Sequence, residues 1–481
     1  MLPPLVMEIV GFLFFLILFV VIGLWSTRQQ TDKENDYLLA GGTVSPLLTA
    51  LSAAATKNSG YMFIGLIGYI YSYGLSAIWL VCGFLFGDLI AFCVVHKKLR
   101  EATKQTGSLS FAELISKWNG GHYRKLQATI GLITLVFLAI YAAAQLNAGG
   151  KALHALFNWH TSSGACIGAG LILAYCMSGG LRASIWTDAT QSILMMFAML
   201  LLLGSAIHHS GGVGDFVGKL DQVSPSYLDL GVERFGSLGA TALFAVGWLF
   251  NGIGVTGQPQ VMVRFMALDD SQHMRKTGLY YFLWSGLFLS VTLVVGLASR
   301  LYIAQSTSFD AELALPTLAQ NLLPGVAVGI VLGGIFAATI STIDSQILSC
   351  SAVLSDDFKL GHGVRAKRLS TLAVVAVSLT IALFAPANVF SLVILAWSAL
   401  ACTLGPLVII HALGKRPSEN LALLMMLVGF VVAIGWRQLG WNKQLYEGAP
   451  GILSALLVYF IATRLTGSKD VANETLDYKS P

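Results

Sequence analysis

Thirteen runs of apolar residues, separated by short polar segments, make up most of this chain of 481 residues. Most runs are long enough to cross a bilayer as a helix, which needs about 20 predominantly apolar residues. The first run is too long for a signal-peptide core and has no basic region before it, so we interpret it as a retained span. We predict spans at 5–26, 46–71, 75–96, 127–149, 161–178, 184–208, 237–260, 278–302, 323–352, 370–386, 389–412, 421–436 and 449–463.

Composition and charge agree with a polytopic helical membrane protein. The chain is 56% hydrophobic and 11% charged, which excludes a soluble domain of this size. The net charge of +5 does not indicate nucleic acid, because 22 of the 29 Lys and Arg residues lie in alternate loops. Six lie in the other loops and one lies within a span. This bias predicts a protein of the cell membrane, the inner membrane in a bacterium, with an outer N-terminus and a cytoplasmic C-terminus. The six cysteines fall within spans, so neither a disulfide framework nor a zinc site is indicated.

Two spans carry polar residues, glycine and proline in their interior. The second contains ATKNSG at 55–60, and the seventh reads GWLFNGIGVTGQPQ at 247–260. Such residues free backbone groups that can face a site, as in the broken helices of secondary transporters. The two spans are five apart, which predicts a five-plus-five inverted repeat with the broken helix first in each half. The alternative is close helix packing through small residues.

The division of the chain follows from this repeat. We expect an extra N-terminal helix, two repeats that form the transporter core, two extra helices at the end and a polar cytoplasmic tail. The boundaries are 1–44 for the first helix and loop, 45–260 for the first repeat and the start of the second, 261–412 for the rest of the core, 413–463 for the last helices and 464–481 for the tail.

Lys57 is the most unusual residue in the second span. An ammonium at that depth costs on the order of 2.5–3.5 kcal/mol at a helix centre. The acidic residues within spans are Glu8, Asp88, Asp188 and Asp344. Glu8 lies near a span end, whereas Asp88 faces either a neighbouring helix or the transport pathway.

The ninth span has a hydroxyl-rich face. Ala338, Ser341, Thr342 and Ser345 recur at i, i+3, i+4 and i+7, which places them on one side of a helix. Uncharged oxygens of this kind suit a hard cation such as sodium. The alternative is that the hydroxyls bond carbonyls of their own helix or join helices together.

Four motif regions resemble the sodium/solute symporter family, which includes bacterial sodium/proline and sodium/sialic acid carriers and the sodium–glucose carriers. The resemblance covers nearly the whole chain, and GQP followed by RFMA is most similar to the proline-carrier branch. The regions are DYLLAGG with LTALSAAATKNSG (36–60), SGGLRASIWTDATQ (178–191), GQPQVMVRFMA (257–267) and AATISTIDSQILSCSA (337–352).

The resemblance implies a sodium site between the second and ninth spans. Its ligands would be the carbonyls of Ala55, Asn58 and Ala338 and the hydroxyls of Ser341 and Thr342. Similarity to the sialic acid carriers implies a second cation near Asp188 and Ser345. Residues expected to serve the solute or its coupling to the ion are Lys57, Ser59, Gly60, Tyr141, Asn251, Val255, Gln258 and Asp344.

The chain departs from the proline-carrier pattern at several of these positions. That pattern has an aspartate at Lys57, an arginine at Thr43 and a small residue at Asp344. Two of its aromatic positions correspond to Asn251 and Val255. We therefore expect Lys57 to pair with Asp344 or Asp188, since an unpaired buried ion would cost several kcal/mol. A second hypothesis is that Lys57 replaces part of the coupling cation, as a fixed charge or as a proton carrier.

The function expected from these features is cation-coupled symport of a small polar organic solute. Sodium is the expected coupling ion, with the proton as alternative, and an amino acid such as proline is the leading solute. The alternatives are a proton-coupled or cation-independent carrier of a monocarboxylate, a pantothenate-like solute or a sugar, and a transporter-like membrane sensor. The chain shows no enzyme motif, and we expect no cofactor, no nucleic acid and only lipid and solute as partners; the oligomeric state stays open.

Overall fold

The structure is a computed structural model that describes residues 4–26, 34–118, 120–304, 308–360, 363–384 and 388–465. Within these ranges the chain is helical, and its one extended contact is an isolated bridge between Val44 and Leu268. Most of the predicted C-terminal tail lies outside the described residues.

In the described part of the chain, ten α-helices precede residue 230. They are α1 (Pro4–Ser26), α2 (Glu34–Leu39), α3 (Pro46–Lys57), α4 (Ile67–Tyr73), α5 (Ile78–Ala91), α6 (Lys97–Thr106), α7 (Phe111–Lys117), α8 (Arg124–Phe157), α9 (Thr161–Ser210) and α10 (Val213–Asp221).

Ten more follow this point. They are α11 (Val232–Phe235), α12 (Leu238–Ile253), α13 (Pro259–Met266), α14 (Met274–Tyr302), α15 (Ala314–Leu322), α16 (Gly325–Ala352), α17 (Gly363–Phe384), α18 (Val389–Ala412), α19 (Glu419–Gln438) and α20 (Gly448–Leu465).

Short helical segments of other types join these helices. Three are π-helical: Tyr61–Leu66, Phe92–His96 and Val353–Asp357. Six are 3₁₀-helical: Ala40–Gly42, Gly74–Ala77, Gly254–Gly257, Ser271–His273, Ala311–Leu313 and Trp441–Lys443.

The predicted spans fall on helices throughout the described part of the chain. Ten helical stretches there are long and apolar enough to cross a membrane. The predicted spans 161–178 and 370–386 correspond to the shorter apolar helices Thr161–Leu173 and Arg368–Phe384. Span 46–71 is the broken helix formed by α3, the first π segment and α4. The architecture is therefore the all-α, polytopic arrangement that the apolar pattern predicts.

Both predicted helix breaks are present. The first separates α3 from the π segment that precedes α4, since Asn58 leaves the helical region with φ −79° and ψ 49°. The second lies between α12 and α13, where a 3₁₀ turn at Gly254–Gly257 leads into an extended Gln258 (φ −100°, ψ 97°). Proline begins α13, because its missing N–H costs no hydrogen bond in a first turn.

A glycine divides α9 between the two spans predicted there. Gly180 has φ +56° and ψ −161°, a conformation that residues with a Cβ rarely adopt. A Cβ at this position would also lie 2.6 Å from the carbonyl oxygen of Tyr37. The glycine thus permits both the bend and the close approach of the segment before α3.

Backbone hydrogen bonds connect the two broken helices at one end of the molecule. Val44, just before α3, donates its N–H to Ala267 (3.1 Å) and accepts one from Asp269 (2.9 Å), just after α13. The guanidinium of Arg100 donates to the carbonyls of Leu268 and Asp269 and to that of Gly42. These bonds hold the segment before α3 against the segment after α13.

Candidate functional site

The first helix break brings free carbonyls of α3 against the hydroxyl face of α16. The hydroxyl of Ser341 donates to the carbonyl of Ala55 (3.4 Å) and to that of Ala338 in its own helix (3.1 Å). The hydroxyl of Thr342 donates to the carbonyl of Thr56 (3.0 Å). These side chains are fully buried. Sequence reasoning did not include the Thr56 carbonyl; its position one residue beyond Ala55 at the break was the available signal.

The residues expected for sodium have one chemical property in common. Each offers an uncharged oxygen, which is what hard cations such as Na⁺ accept without a large electrostatic cost to the empty site. Asn58 lies at the break, and its buried side-chain oxygen has no hydrogen-bond partner among the described residues. Carbonyl and hydroxyl oxygens therefore meet where α3 contacts α16, and the amide oxygen of Asn58 lies at the end of α3.

The residues expected for a second cation also lie together, but they already surround a guanidinium. Arg264, on α13, is fully buried and donates to Asp188 (3.2 Å) and to the hydroxyl of Ser345. It also donates to the hydroxyls of Ser184 (2.8 Å) and Ser52 (3.4 Å). The positive charge at this place thus belongs to the protein itself, and these residues do not fit a second metal ion in the arrangement observed.

Further hydrogen bonds connect the residues around Arg264. The hydroxyl of Ser52 donates to Asp188 (2.7 Å), and the hydroxyls of Thr56 and Ser345 share a hydrogen bond (3.0 Å). Arg264 is one of the 22 Lys and Arg residues that the charge pattern assigns to alternate loops, and for this residue that assignment is wrong. The reason is that α13 continues the seventh span past the break, so that RFMA lies inside the packed helices and not in a loop.

Lys57 does pair with a buried carboxylate, but the partner is Asp88 on α5. The ammonium lies 2.8 Å from Oδ2 of Asp88 and 3.1 Å from the hydroxyl of Ser285 on α14. Both charged side chains are fully buried. The expected pairing with Asp188 or Asp344 is therefore wrong.

Helix geometry explains this difference. Ser52 bonds Asp188, and Lys57 follows five residues later, which rotates its side chain by about 140° around α3. Lys57 consequently faces α5 and α14, on the side opposite Asp188. Asp344 is buried on α16, between Thr342 and Ser345 in sequence.

A cavity next to the first break has Lys57 in its wall. Tyr61, Tyr141 and Asn251 contribute polar groups, and most of the remaining wall is aliphatic or aromatic, including Phe84, Trp248 and Trp397. Its volume of about 20 Å³ is room for about one water molecule. A solute larger than water would therefore need the wall to move in order to bind here.

Other residues expected to serve the solute lie in or next to the two breaks. The hydroxyls of Ser59 and Tyr141 share a hydrogen bond (3.3 Å), and the N–H of Gly60 donates to Gln145 on α8 (2.8 Å). Gln258 donates to the carbonyl of Trp397 (3.0 Å), which joins the second break to α18. Val255 is fully buried in the second break.

Two interrupted helices, a buried cavity beside one break and a cluster of uncharged oxygens are typical of secondary transporters. The profile of the Sodium:solute symporter family matches residues 37–429. The chain belongs to this family and is a multi-pass membrane protein.

Curated relatives and solved structures agree with the assignment. The chain is 31% identical over 465 residues to the high-affinity proline transporter PutP of Bacillus subtilis, covering 94% of this chain and 97% of that protein. It is 30% identical over 451 residues to the sodium/proline symporter of Escherichia coli, covering 90% and 88%.

Two solved structures share the fold. A substrate-bound, outward-open Na⁺-coupled sialic acid symporter matches with a TM-score of 0.82 at 17% identity, over 95% of this chain and 97% of that chain. Mhp1, a nucleobase-cation-symport-1 family transporter in a closed conformation, matches with a TM-score of 0.60 at 13% identity, over 90% and 94%. The core is thus the predicted five-plus-five arrangement of this transporter fold.

Proposed function

We propose that the protein is a sodium-coupled symporter of a small polar organic solute, with an amino acid such as proline as the leading solute. The observation that carries the proposal is the contact between the hydroxyls of Ser341 and Thr342 and the carbonyls freed at the first helix break. Relatives named as proline transporters over nearly the whole chain support the choice of solute.

The mechanism follows from where the sodium ligands lie. Ala55 and Asn58 belong to the broken helix, whereas Ala338, Ser341 and Thr342 belong to α16. Sodium binds tightly only when the two elements are close, so its affinity differs between conformations that separate them and conformations that do not. A solute that binds beside the same break shifts the same equilibrium, and reciprocity couples the two ligands.

We further propose that one sodium ion moves per cycle. The guanidinium of Arg264 supplies the positive charge among Asp188, Ser345, Ser52 and Ser184. A second sodium there would meet an immobile cation at contact distance. The proposed orientation has the N-terminus outside and the C-terminus in the cytoplasm, with the core at residues 45–412 flanked by α1, α19 and α20.

An alternative function is a carrier driven by protons, or not coupled to a cation, for a monocarboxylate or related solute. The observation that favours it is the buried ammonium of Lys57 beside the cavity, since a fixed or titrating positive charge could replace part of the coupling ion.

Uptake by proteoliposomes tests both functions. Radiolabelled proline should accumulate under an inward sodium gradient and not under an equal choline gradient. A pH gradient without sodium should drive no uptake. Accumulation that follows the proton gradient and ignores sodium would select the alternative, and the absence of proline uptake under both gradients would remove proline as the solute.

A further inference from the structure

The ammonium of Lys57 has more N–H donors than the described residues around it have oxygens to accept them. Its ammonium has three N–H donors, of which two reach Asp88 and Ser285. Within the described part of the chain, no oxygen accepts the third. The ammonium lies instead over the rings of Tyr281 (4.2 Å from the ring centroid) and Phe84 (5.3 Å). Ring faces stabilise a desolvated cation, but they leave the donor free to bond a ligand.

The carboxylate of Asp88 is the charged partner of the Lys57 ammonium. Its Oδ2 accepts from Lys57 and from the hydroxyl of Tyr281 (2.8 Å), whereas Oδ1 has no hydrogen-bond partner among the described residues. Lys57 lies in the wall of the cavity, and Asp88 lies one helical turn beyond Phe84, which also lines it. Asp88 therefore neutralises and positions the ammonium.

None of the described residues that line the cavity is acidic. The hydroxyl of Tyr61 is buried there without a hydrogen-bond partner among the described residues. The wall thus offers a cationic donor, a free hydroxyl and the amide of Asn251 against a largely aliphatic and aromatic surface. A small ligand that complements it has a carboxylate and a compact apolar body.

Charge balance points to the same ligand. The pair of Lys57 and Asp88 is neutral. A bound sodium adds one positive charge at the end of α3, where the carbonyl of Thr56 directly precedes Lys57. A solute carboxylate in contact with the ammonium of Lys57 offsets this added positive charge locally in a largely apolar site, and this would make sodium and solute bind cooperatively.

We propose that Lys57 binds the carboxylate of the transported solute and selects small carboxylates over the corresponding amides, with Asp88, Ser285 and Tyr281 as its positioning residues. This inference rests on the proposed function. It assigns to Lys57 a specificity role beside the sodium ligands.

Thermal unfolding of the purified protein in detergent tests the inference, with proline and cyclopentanecarboxylate compared with prolinamide and cyclopentanecarboxamide in sodium chloride. The carboxylates should raise the unfolding temperature. The amides should bind roughly ten- to a hundredfold more weakly, as expected for the loss of one charge-assisted hydrogen bond.

Substitutions of Lys57 test whether the stabilisation by carboxylates depends on this residue. Lys57→Met should lose the response to carboxylates and keep the response to sodium, whereas Lys57→Arg should retain part of the former. If Lys57→Met does not fold, Lys57→Met with Asp88→Asn removes both charges and gives the same readout. The matched control is Lys151→Met, because Lys151 is also a largely buried lysine paired with carboxylates, Asp310 and Glu312 (both 2.7 Å), but it does not line the cavity.

Three outcomes would overturn the inference: no carboxylate stabilises the wild type, amides stabilise it equally, or Lys57→Met keeps the carboxylate response. Sodium stabilisation without any carboxylate effect would reject the inference and leave sodium coupling intact. A carboxylate effect of equal size in choline chloride would reject sodium coupling and leave the role of Lys57 intact.

Discussion

Two buried cations flank the first helix break, and they are held in very different ways. Arg264 donates to three hydroxyls, to Asp188 and to the carbonyl of Gln260 (3.1 Å). Lys57 donates to one carboxylate and one hydroxyl and lines a cavity. The planar guanidinium can satisfy many acceptors at once, whereas an ammonium is a compact charge with three donors. The comparison indicates that Arg264 is a fixed part of the structure and that Lys57 is available to a ligand.

The largest effect is expected at Arg264. Arg264→Met leaves Asp188 as an uncompensated buried charge, which should cost about 3–5 kcal/mol of stability. Arg264→Lys should recover little of this stability, because one ammonium cannot reach all the acceptors that the guanidinium bonds. Denaturant unfolding in detergent measures both variants, with Arg275→Met, on the exposed end of α14, as control. Wild-type stability for Arg264→Met would show that the cluster is not structural.

The Lys57–Asp88 pair should be easier to replace. Either Lys57→Met or Asp88→Asn alone leaves one buried charge and should destabilise by several kcal/mol, whereas the double variant should lose clearly less than the sum. A double-mutant cycle on unfolding free energies measures the coupling. Additive losses would mean that the two side chains do not form the pair in the protein.

Removal of the hydroxyl pair should lower the affinity for sodium more than it lowers the stability of the protein. Ser341→Ala with Thr342→Ala removes two sodium ligands and should weaken sodium binding by about a hundredfold, at about tenfold for each hydroxyl. Sodium titration of the unfolding temperature measures this effect. Ser349→Ala is the matched control, since its hydroxyl bonds the carbonyl of Ser345 in the same helix (2.9 Å). An unchanged sodium response in the double variant would place the ion elsewhere.

The same sodium titration also tests how many sodium ions the protein binds. If Arg264 supplies the positive charge of the second cluster, sodium stabilisation of the wild type should follow a single-site curve. A sigmoidal curve, or two separable phases, would mean that sodium displaces the guanidinium and would contradict the difference drawn between the two cations.

The smallest effect is expected at Asn58. The proposed ligand is its backbone carbonyl, so Asn58→Ala should weaken sodium binding by less than tenfold, which is under about 1.4 kcal/mol. A larger loss would show that the side-chain oxygen, which has no partner among the described residues, is itself a ligand.

The sequence alone determined the positions of the helical spans and of both breaks, because apolar length and the placement of glycine, proline and polar residues act locally. It also placed the hydroxyls of Ser341 and Thr342 on one face of a helix, since that depends only on helical periodicity. The motifs added the family. Each of these features is decided within one or two helical turns.

Only the tertiary structure decided which charges meet. Asp88 and Lys57 lie 31 residues apart and Arg264 lies 76 residues from Asp188, so local patterns carry no information about either pair. The rotation of α3 about its axis directs Ser52 toward Asp188 and Lys57 toward Asp88, and the continuation of α13 past the break buries Arg264. Because a buried ion is tolerated only with its partner, the packing of the helices, and not the order of residues, determined the electrostatics of this site.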